Sequence, residues 1–304
     1  MKNVVVGILY PGVEPFLEDY FGSIVNQSTK NFELYLFKND FTSSLNEYLE
    51  RFSLAGIKVK LLDVPLPTKS PLSARQFILN TLRAEFVRGE IENIIFTDSD
   101  DYFHEKRVEL SLQALVSSDI AFNDLTPFTS ETREFFPSLF SQRPFTKLAF
   151  KDLLNKNIVG YSHVAMKAKH LQKLPIIIPE SLDGVTDWWF FSLLLAQGLE
   201  AVFIDGATTY YRQYSLNTAG LKRKFTLEQI EFGLEVKRRH YTALLSYLSK
   251  DQKLLVEEEL ENIKKLEENF YFPQAKQDYL VKINEIASNK IFYWWEQIDL
   301  KYAD

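Results

Sequence analysis

The sequence predicts an α/β fold, a largely parallel sheet with helices on both faces, followed by a helical C-terminal region. Three observations predict it. Short β-branched runs alternate with segments of helical spacing along the first part of the chain. Val4-Val5-Val6-Gly7-Ile8-Leu9 is apolar throughout, as a strand buried on both faces must be. From Phe225 onward the character changes to long, charged, helix-forming segments.

Taken in order, the first strand, Val4 to Leu9, stops at the break Tyr10-Pro11-Gly12. Glu14 to Gln27 carries apolar residues at Phe16, Leu17, Tyr20, Phe21, Ile24 and Val25, which is helical spacing. Phe32 to Phe37 returns to strand and ends at Lys38-Asn39-Asp40. A helix over Thr42 to Phe52 and a third strand over Ile57 to Val64 follow. Pro65, Pro67 and Pro71 mark a loop. Ser73 to Val87 is helical, with Ser70 or Ser73 as N-cap, and Asn93 to Phe96 is the fourth strand. Leu125 to Pro144, rich in Pro, Ser, Thr and Phe, reads as a long loop. Ile158 to Met166 reads as a strand, Asp187 to Gln197 as a buried helix and Ala201 to Ile204 as a short strand. Helices then run to about Glu268. Phe270-Tyr271-Phe272-Pro273 breaks them, and a last helix carries Ile291-Phe292-Tyr293-Trp294-Trp295. A boundary near Leu221 to Lys224 divides the chain into residues 1–222 and a helical region, 223–304.

Composition excludes several classes. Apolar residues make up 46% of the 304, ample for a core. Net charge is −6, which argues against nucleic acid as a partner, because tracking phosphates takes a basic surface. There is no cysteine, so disulfides, thiol nucleophiles and thiolate metal sites are excluded. The four histidines, His104, His163, His170 and His240, form no clustered pair, which makes zinc improbable. No apolar run is long enough to span a bilayer. The N-terminus reads as a strand rather than a signal peptide. A cytoplasmic location, extending to the inner face of a membrane, is the expectation.

The chemistry concentrates in Phe96-Thr97-Asp98-Ser99-Asp100-Asp101-Tyr102-Phe103. Three carboxylates fall within four positions with no Lys or Arg among them. Like charges this close destabilise one another unless a cation is shared. Mg²⁺ and Mn²⁺ take such oxygen ligands, often one or two carboxylates plus substrate phosphates. The plainer alternative is that Asp100 or Asp101 caps a helix starting near Glu105. In a parallel sheet, ligands bind at the carboxyl ends of strands, and both Asp40 and Asp98 are placed there. An EF-hand is excluded, since the loop lacks its Gly and terminal Glu. A haloacid-dehalogenase-like phosphatase with Asp98 as nucleophile is a rival. Against it, the acidic motif follows the fourth strand rather than the first.

Seven segments in order resemble the family 2 glycosyltransferases of the GT-A fold, a Rossmann-like mixed sheet that binds nucleotide-diphospho-sugars. They are Val4 to Tyr10; Ile24-Val25-Asn26-Gln27-Ser28-Thr29-Lys30-Asn31-Phe32-Glu33-Leu34; Asn39-Asp40; Ser73-Ala74-Arg75-Gln76; Asp98-Ser99-Asp100-Asp101; Thr186-Asp187-Trp188-Trp189; and Tyr211-Arg212-Gln213-Tyr214-Ser215-Leu216-Asn217. The resemblance covers roughly residues 3–220. It implies a nucleotide-binding half, about 1–104, and an acceptor half, about 105–222.

The implied reaction is inverting transfer of a sugar from a nucleotide-diphosphate donor to an acceptor hydroxyl, in synthesis of surface polysaccharide or glycoconjugate. The acceptor would be a saccharide, a lipid-linked group or a protein. Leu9, Tyr10, Asp40, Arg75, Asp98 and Ser99 would bind the nucleotide. Asp100, with Asp101 beside it, would ligate Mg²⁺ or Mn²⁺, and Asp187 would be the general base. Its plainer role is a helix N-cap. Arg212, Tyr214, His163 and Trp188 would touch diphosphate or acceptor. Arg212 suits phosphate chemically, and its plainer role is an ion pair. For His163 the plainer role is structural. Two departures stand out: Thr186 replaces the family's Glu, and Tyr214 replaces its His. A binding-only family member is therefore a second alternative. The aromatic run Phe292 to Trp295 could pack the core, anchor at a membrane surface or contact a second copy.

Overall fold

In the computed structural model, residues 1–65, 70–140, 146–214 and 221–303 are described. Pro67, the end of the expected loop at Ser141 to Pro144, and Ser215 to Asn217 lie outside them. The chain divides into two compact units. One comprises Met1–Leu148, Val159–Ile178 and Leu199–Tyr214; the other comprises Ala149–Ile158, Pro179–Gly198 and Ser215–Asp304.

The first unit holds one nine-stranded mixed sheet. Its strands are β1 (Lys2–Leu9), β2 (Glu33–Lys38), β3 (Lys58–Asp63), β4 (Ile91–Phe96), β5 (Tyr102–Phe103), β6 (Ile120–Thr129), β7 (Lys147–Leu148), β8 (Val164–Lys167) and β9 (Ala201–Gln213). Four helices accompany them: α1 (Leu17–Val25), α2 (Asn46–Leu54), α3 (Pro71–Val87) and α4 (Arg107–Ser117). The sheet order is β3-β2-β1-β4-β8-β6-β9-β5, with β7 paired to β9. The first four of these run parallel, as alternating strands and helices require. β8 then pairs antiparallel on both sides, and this makes the sheet mixed.

Gly7 illustrates how tightly β1 is held. A Cβ there would meet the Tyr20 hydroxyl at 1.9 Å. That hydroxyl lies 2.7 Å from Thr97 Oγ1, which in turn donates to the Val6 carbonyl. Only glycine lets α1 approach β1 and β4 this closely.

Most elements match their patterns, with instructive exceptions. The first helix is preceded by a separate 3₁₀ turn, Glu14–Phe16, because Pro15 sits in its first turn. Ser70, not Ser73, caps α3 and accepts the Ser73 N–H, with Pro71 opening the helix. Neither Asp100 nor Asp101 caps α4, whose N-cap is Lys106. The segment from Leu125 to Thr129 is strand, not loop. It pairs with β9 and tolerates Pro127 because it lies beyond the β8 pairing. β9 runs well past Ile204. The Asp205-Gly206 pair is extra chain in a bulge, where Asn123 faces Ile204 but Asp124 faces Thr208. The expected strand at Ile158 to Met166 begins as a 3₁₀ turn, Tyr161–His163, and becomes strand only at Val164.

The second unit is helical: α5 (Thr186–Ala196), α6 (Leu227–Leu244), α7 (Lys250–Asn269) and α8 (Pro273–Asn289). α5 has almost no polar face, and from Trp188 to Leu195 every residue is buried. Capping boxes open α6 at Thr226 and α7 at Ser249. Phe292 to Trp295 is not helical. α8 ends at Asn289, and Trp295 adopts a left-handed backbone, φ 68°.

Lys237 of α6 is fully buried and donates to the Ile298 carbonyl. Burial pushes its ammonium down to about 8. Since the unfolded chain holds that proton up to an ordinary Lys pKa of about 10.4, stability should rise with pH between about 8 and 10.4. At neutral pH the buried charge costs about 3 kcal/mol, at about 1.4 kcal/mol per pH unit. Lys237→Met should therefore remove the alkaline rise. It should also stabilise the fold at pH 7 by about 1–2 kcal/mol, after about 1 kcal/mol is lost at the Ile298 carbonyl. Urea denaturation from pH 7 to 10 tests both.

Candidate active site

The parallel pairing of β2, β1 and β4 brings their carboxyl ends to one edge of the sheet. Asp40 follows β2 and Asp98 follows β4, with Leu9 and Tyr10 ending β1 between them. Asn39 N–H donates to the Leu9 carbonyl at 2.8 Å. Asp40 is exposed and left-handed, φ 55°.

The acidic turn is tied down on all sides. The Ser99 hydroxyl donates to the Ile8 carbonyl, so its side chain fixes the turn to β1 and is committed there. Buried Arg107 of α4 donates to the Phe96 carbonyl at 2.6 Å and lies 4.4 Å from the Phe103 ring. Arg75 of α3 pairs with Asp98 and stacks 4.4 Å from the Tyr161 ring.

Asp101 is buried, and both its oxygens are occupied. Oδ2 accepts from Ser162 and Oδ1 accepts the Arg212 N–H at 2.9 Å. Burial and the neighbouring Asp100 push its pKa well up. These contacts make Asp101 a brace between the turn and β9. The Asp100 carboxyl is pushed up to about 6 by burial and by Asp98 beside it. Tyr214 donates to its Oδ2 at 3.0 Å, and Tyr10 lies 3.5 Å from the Tyr214 hydroxyl. Both phenols are raised, first by burial and then by Asp100. Where the family pattern has a His, this chain therefore sets a neutral donor against the acid.

Arg212 points elsewhere than expected. Its guanidinium is buried, pairs with Asp19 at 2.6 Å, donates to the Asp100 carbonyl at 2.6 Å and packs on Phe16 and Phe128. The plain ion-pair role, buried rather than at the surface, is the one it has. His163 is likewise buried, packed on Phe122 and Phe140. In the second unit, Trp188 is buried, donates to the Leu153 carbonyl and stacks on His240 at 3.7 Å. Asp187 is half-buried in the first turn of α5, with Oδ1 accepting the Trp188 N–H at 2.7 Å.

Four supporting residues escaped the sequence reading: Asp19, Arg107, Tyr161 and Ser162. Only Tyr161 and Ser162 had a neighbouring signal, in Gly160-Tyr161-Ser162-His163, and there the His drew attention. Among the described residues no three acidic or His side chains converge on one metal position. Mg²⁺ and Mn²⁺ need fewer, because phosphates complete their shell. The half-buried Asp100, crowded by a like charge, fits such an ion.

The fold of this chain has counterparts among solved structures. S. aureus TarS 1-349 in complex with UDP matches with a TM-score of 0.59 and 18% identity, over 92% of this chain and 75% of that one. The fold is GT-A. The same protein with UDP-GlcNAc matches with a TM-score of 0.60 and 17% identity, over 86% and 72%. The mannosyltransferase PcManGT from Pyrobaculum calidifontis, in complex with GDP-Man and Mn²⁺, matches with a TM-score of 0.54 and 13% identity, over 85% and 69%. No protein-family model matches the chain, and no curated protein does. Among the described residues, no helix of this GT-A chain is long and apolar enough to cross a membrane.

Proposed function

We propose that this chain is a glycosyltransferase that moves a sugar from a nucleotide-diphosphate donor to an acceptor hydroxyl, with inversion, in polysaccharide or glycoconjugate synthesis. The observation that carries the reading is Asp100. It is a half-buried carboxylate whose pKa is raised, at the carboxyl edge of the parallel strands, held by Tyr214, in a fold whose solved examples hold UDP, UDP-GlcNAc and GDP-Man.

Asp100 would hold Mg²⁺ or Mn²⁺. The ion would supply charge stabilisation to the departing diphosphate. Asp40 and Asp98 are the nucleotide contacts, with Arg75 orienting Asp98 through their ion pair. Asp187 takes the proton of the acceptor hydroxyl. Its support is its place in Thr186-Asp187-Trp188-Trp189 and its half-exposed position at the start of α5. The Asp98–Arg75 pair favours this over the phosphatase, whose nucleophile would need that carboxylate open to phosphorus.

Thermal denaturation with UDP, GDP, dTDP and CMP, each with and without Mn²⁺, tests the reading. One diphosphate should stabilise the chain in a metal-dependent way, by about 2.7 kcal/mol at 100 times its Kd. The responding nucleotide identifies the donor's base. Absence of any shift would sink the proposal.

A further inference from the structure

The aromatic segment that the sequence placed on a helix instead lines an open recess in the helical unit. Phe225, Phe232, Phe292 and Trp295 surround it with Gln229 and Gln297, and its volume is about 70 Å³, a shallow recess open to solvent. Small-molecule sites combine apolar walls with a few placed polar groups.

Three features mark a built site rather than leftover space. Gln297 is 5% exposed, yet its side-chain amide makes no hydrogen bond among the described residues. Trp295 lines the same recess with its indole ring. Its backbone is held at φ 68°. A bulky residue rarely adopts that region, and such strain gathers at ligand sites, at a cost of about 1–3 kcal/mol. Phe232, at the edge of Trp295 with ring centroids 5.8 Å apart, leaves 48% of its surface in water.

The lining selects a chemistry. A purely apolar ligand would leave the amide unpaired, and that loss costs about 1–3 kcal/mol. The one charged lining side chain among the described residues is Lys222, too little for a polyanion. Flat apolar faces beside neutral donors and acceptors suit a ring with apolar C–H faces and a rim of hydroxyls. We propose that this recess binds a neutral saccharide, the acceptor class of the reaction proposed above, with a sugar ring over Phe232 and Trp295 and its hydroxyls on Gln297 and the indole N–H. The inference rests on the glycosyltransferase reading for the ligand's role, but not for its chemistry.

The test is an array of neutral hexose and N-acetylhexosamine oligomers, followed by calorimetric titration of the full chain with the strongest binder. Phe232→Ser and Gln297→Leu should each weaken binding at least tenfold, with melting temperatures close to wild type. Asp100→Ala should bind the oligomer as wild type does. Binding to no oligomer overturns the inference. So does affinity unchanged in both recess variants, or displacement of the sugar by a proline-rich peptide. Nucleotide stabilisation without saccharide binding removes this inference alone. Saccharide binding without nucleotide stabilisation leaves the recess and removes the transferase.

Discussion

Asp100→Ala should abolish metal-dependent nucleotide stabilisation and cut sugar transfer by about a thousandfold. The magnitude follows from the several kcal/mol a bound cation contributes against charge on a leaving group, at about 1.4 kcal/mol per tenfold in rate. No neighbour can substitute. Asp98 is paired with Arg75, and Asp101 has both oxygens bound to Ser162 and the Arg212 N–H. The apo fold, by contrast, should not suffer. Asp100 is a half-buried acid beside a like charge, and desolvation and Asp98 both disfavour its ionised form. Its removal should leave the melting temperature unchanged or slightly raised. Unchanged apo stability with lost ligand response separates a metal ligand from a structural acid. A variant that melts far below wild type, or that keeps the Mn²⁺-dependent shift, would place the metal elsewhere. Tyr214→Phe offers the graded comparison: it removes one donor to Asp100 and keeps the carboxylate, so its loss of affinity should be much the smaller.

The parallel half of the sheet was legible because β1, β2 and β4 each carry an apolar run ended by a turn signal. Leu9, Lys38 and Phe96 therefore mark one edge, and the acids beyond Lys38 and Phe96 fall on it. The antiparallel half was not. β9 continues past Ile204 through a bulge at Asp205-Gly206, and β6 hides behind Pro127. Local patterns report how a residue meets its own chain, and here the partner strand decides. The same limit explains the site. Three carboxylates in four positions announce a cation, but which carboxylate remains for it depends on Ser162, Arg75 and Tyr214, which come from distant segments. Trp294 and Trp295 read as helical because their neighbours favour helix; the left-handed turn at Trp295 has no local signal.

Arg212→Ala should destabilise the protein by about 3–5 kcal/mol, the usual cost of removing one partner from a buried pair. The guanidinium connects three elements of the first unit. It pairs with Asp19 of α1, donates to the Asp100 carbonyl, and lies between the rings of Phe16 and Phe128, at 4.6 and 4.7 Å. Burial alone would push Asp19 up; the hydrogen bonds from Arg133 and Arg212 outweigh it and hold the carboxyl below its ordinary value. With Arg212 gone, Asp19 keeps only Arg133, which is half exposed. Arg212→Lys should rescue little, since a single ammonium cannot reach both oxygen partners or stack between two rings. Asp19→Asn alone should also destabilise, and the double variant Asp19→Asn/Arg212→Met should lose less than the sum of the two singles. A double-mutant cycle by urea denaturation measures the coupling, and calorimetric titration with the responding diphosphate is the second readout. If Arg212→Ala unfolds like wild type and only raises the Kd for the diphosphate, the arginine serves the donor and the buried pair is incidental. If stability falls as stated while the folded fraction binds diphosphate nearly normally, Arg212 is the clamp that holds the acidic turn against α1, and diphosphate charge is met by the metal at Asp100.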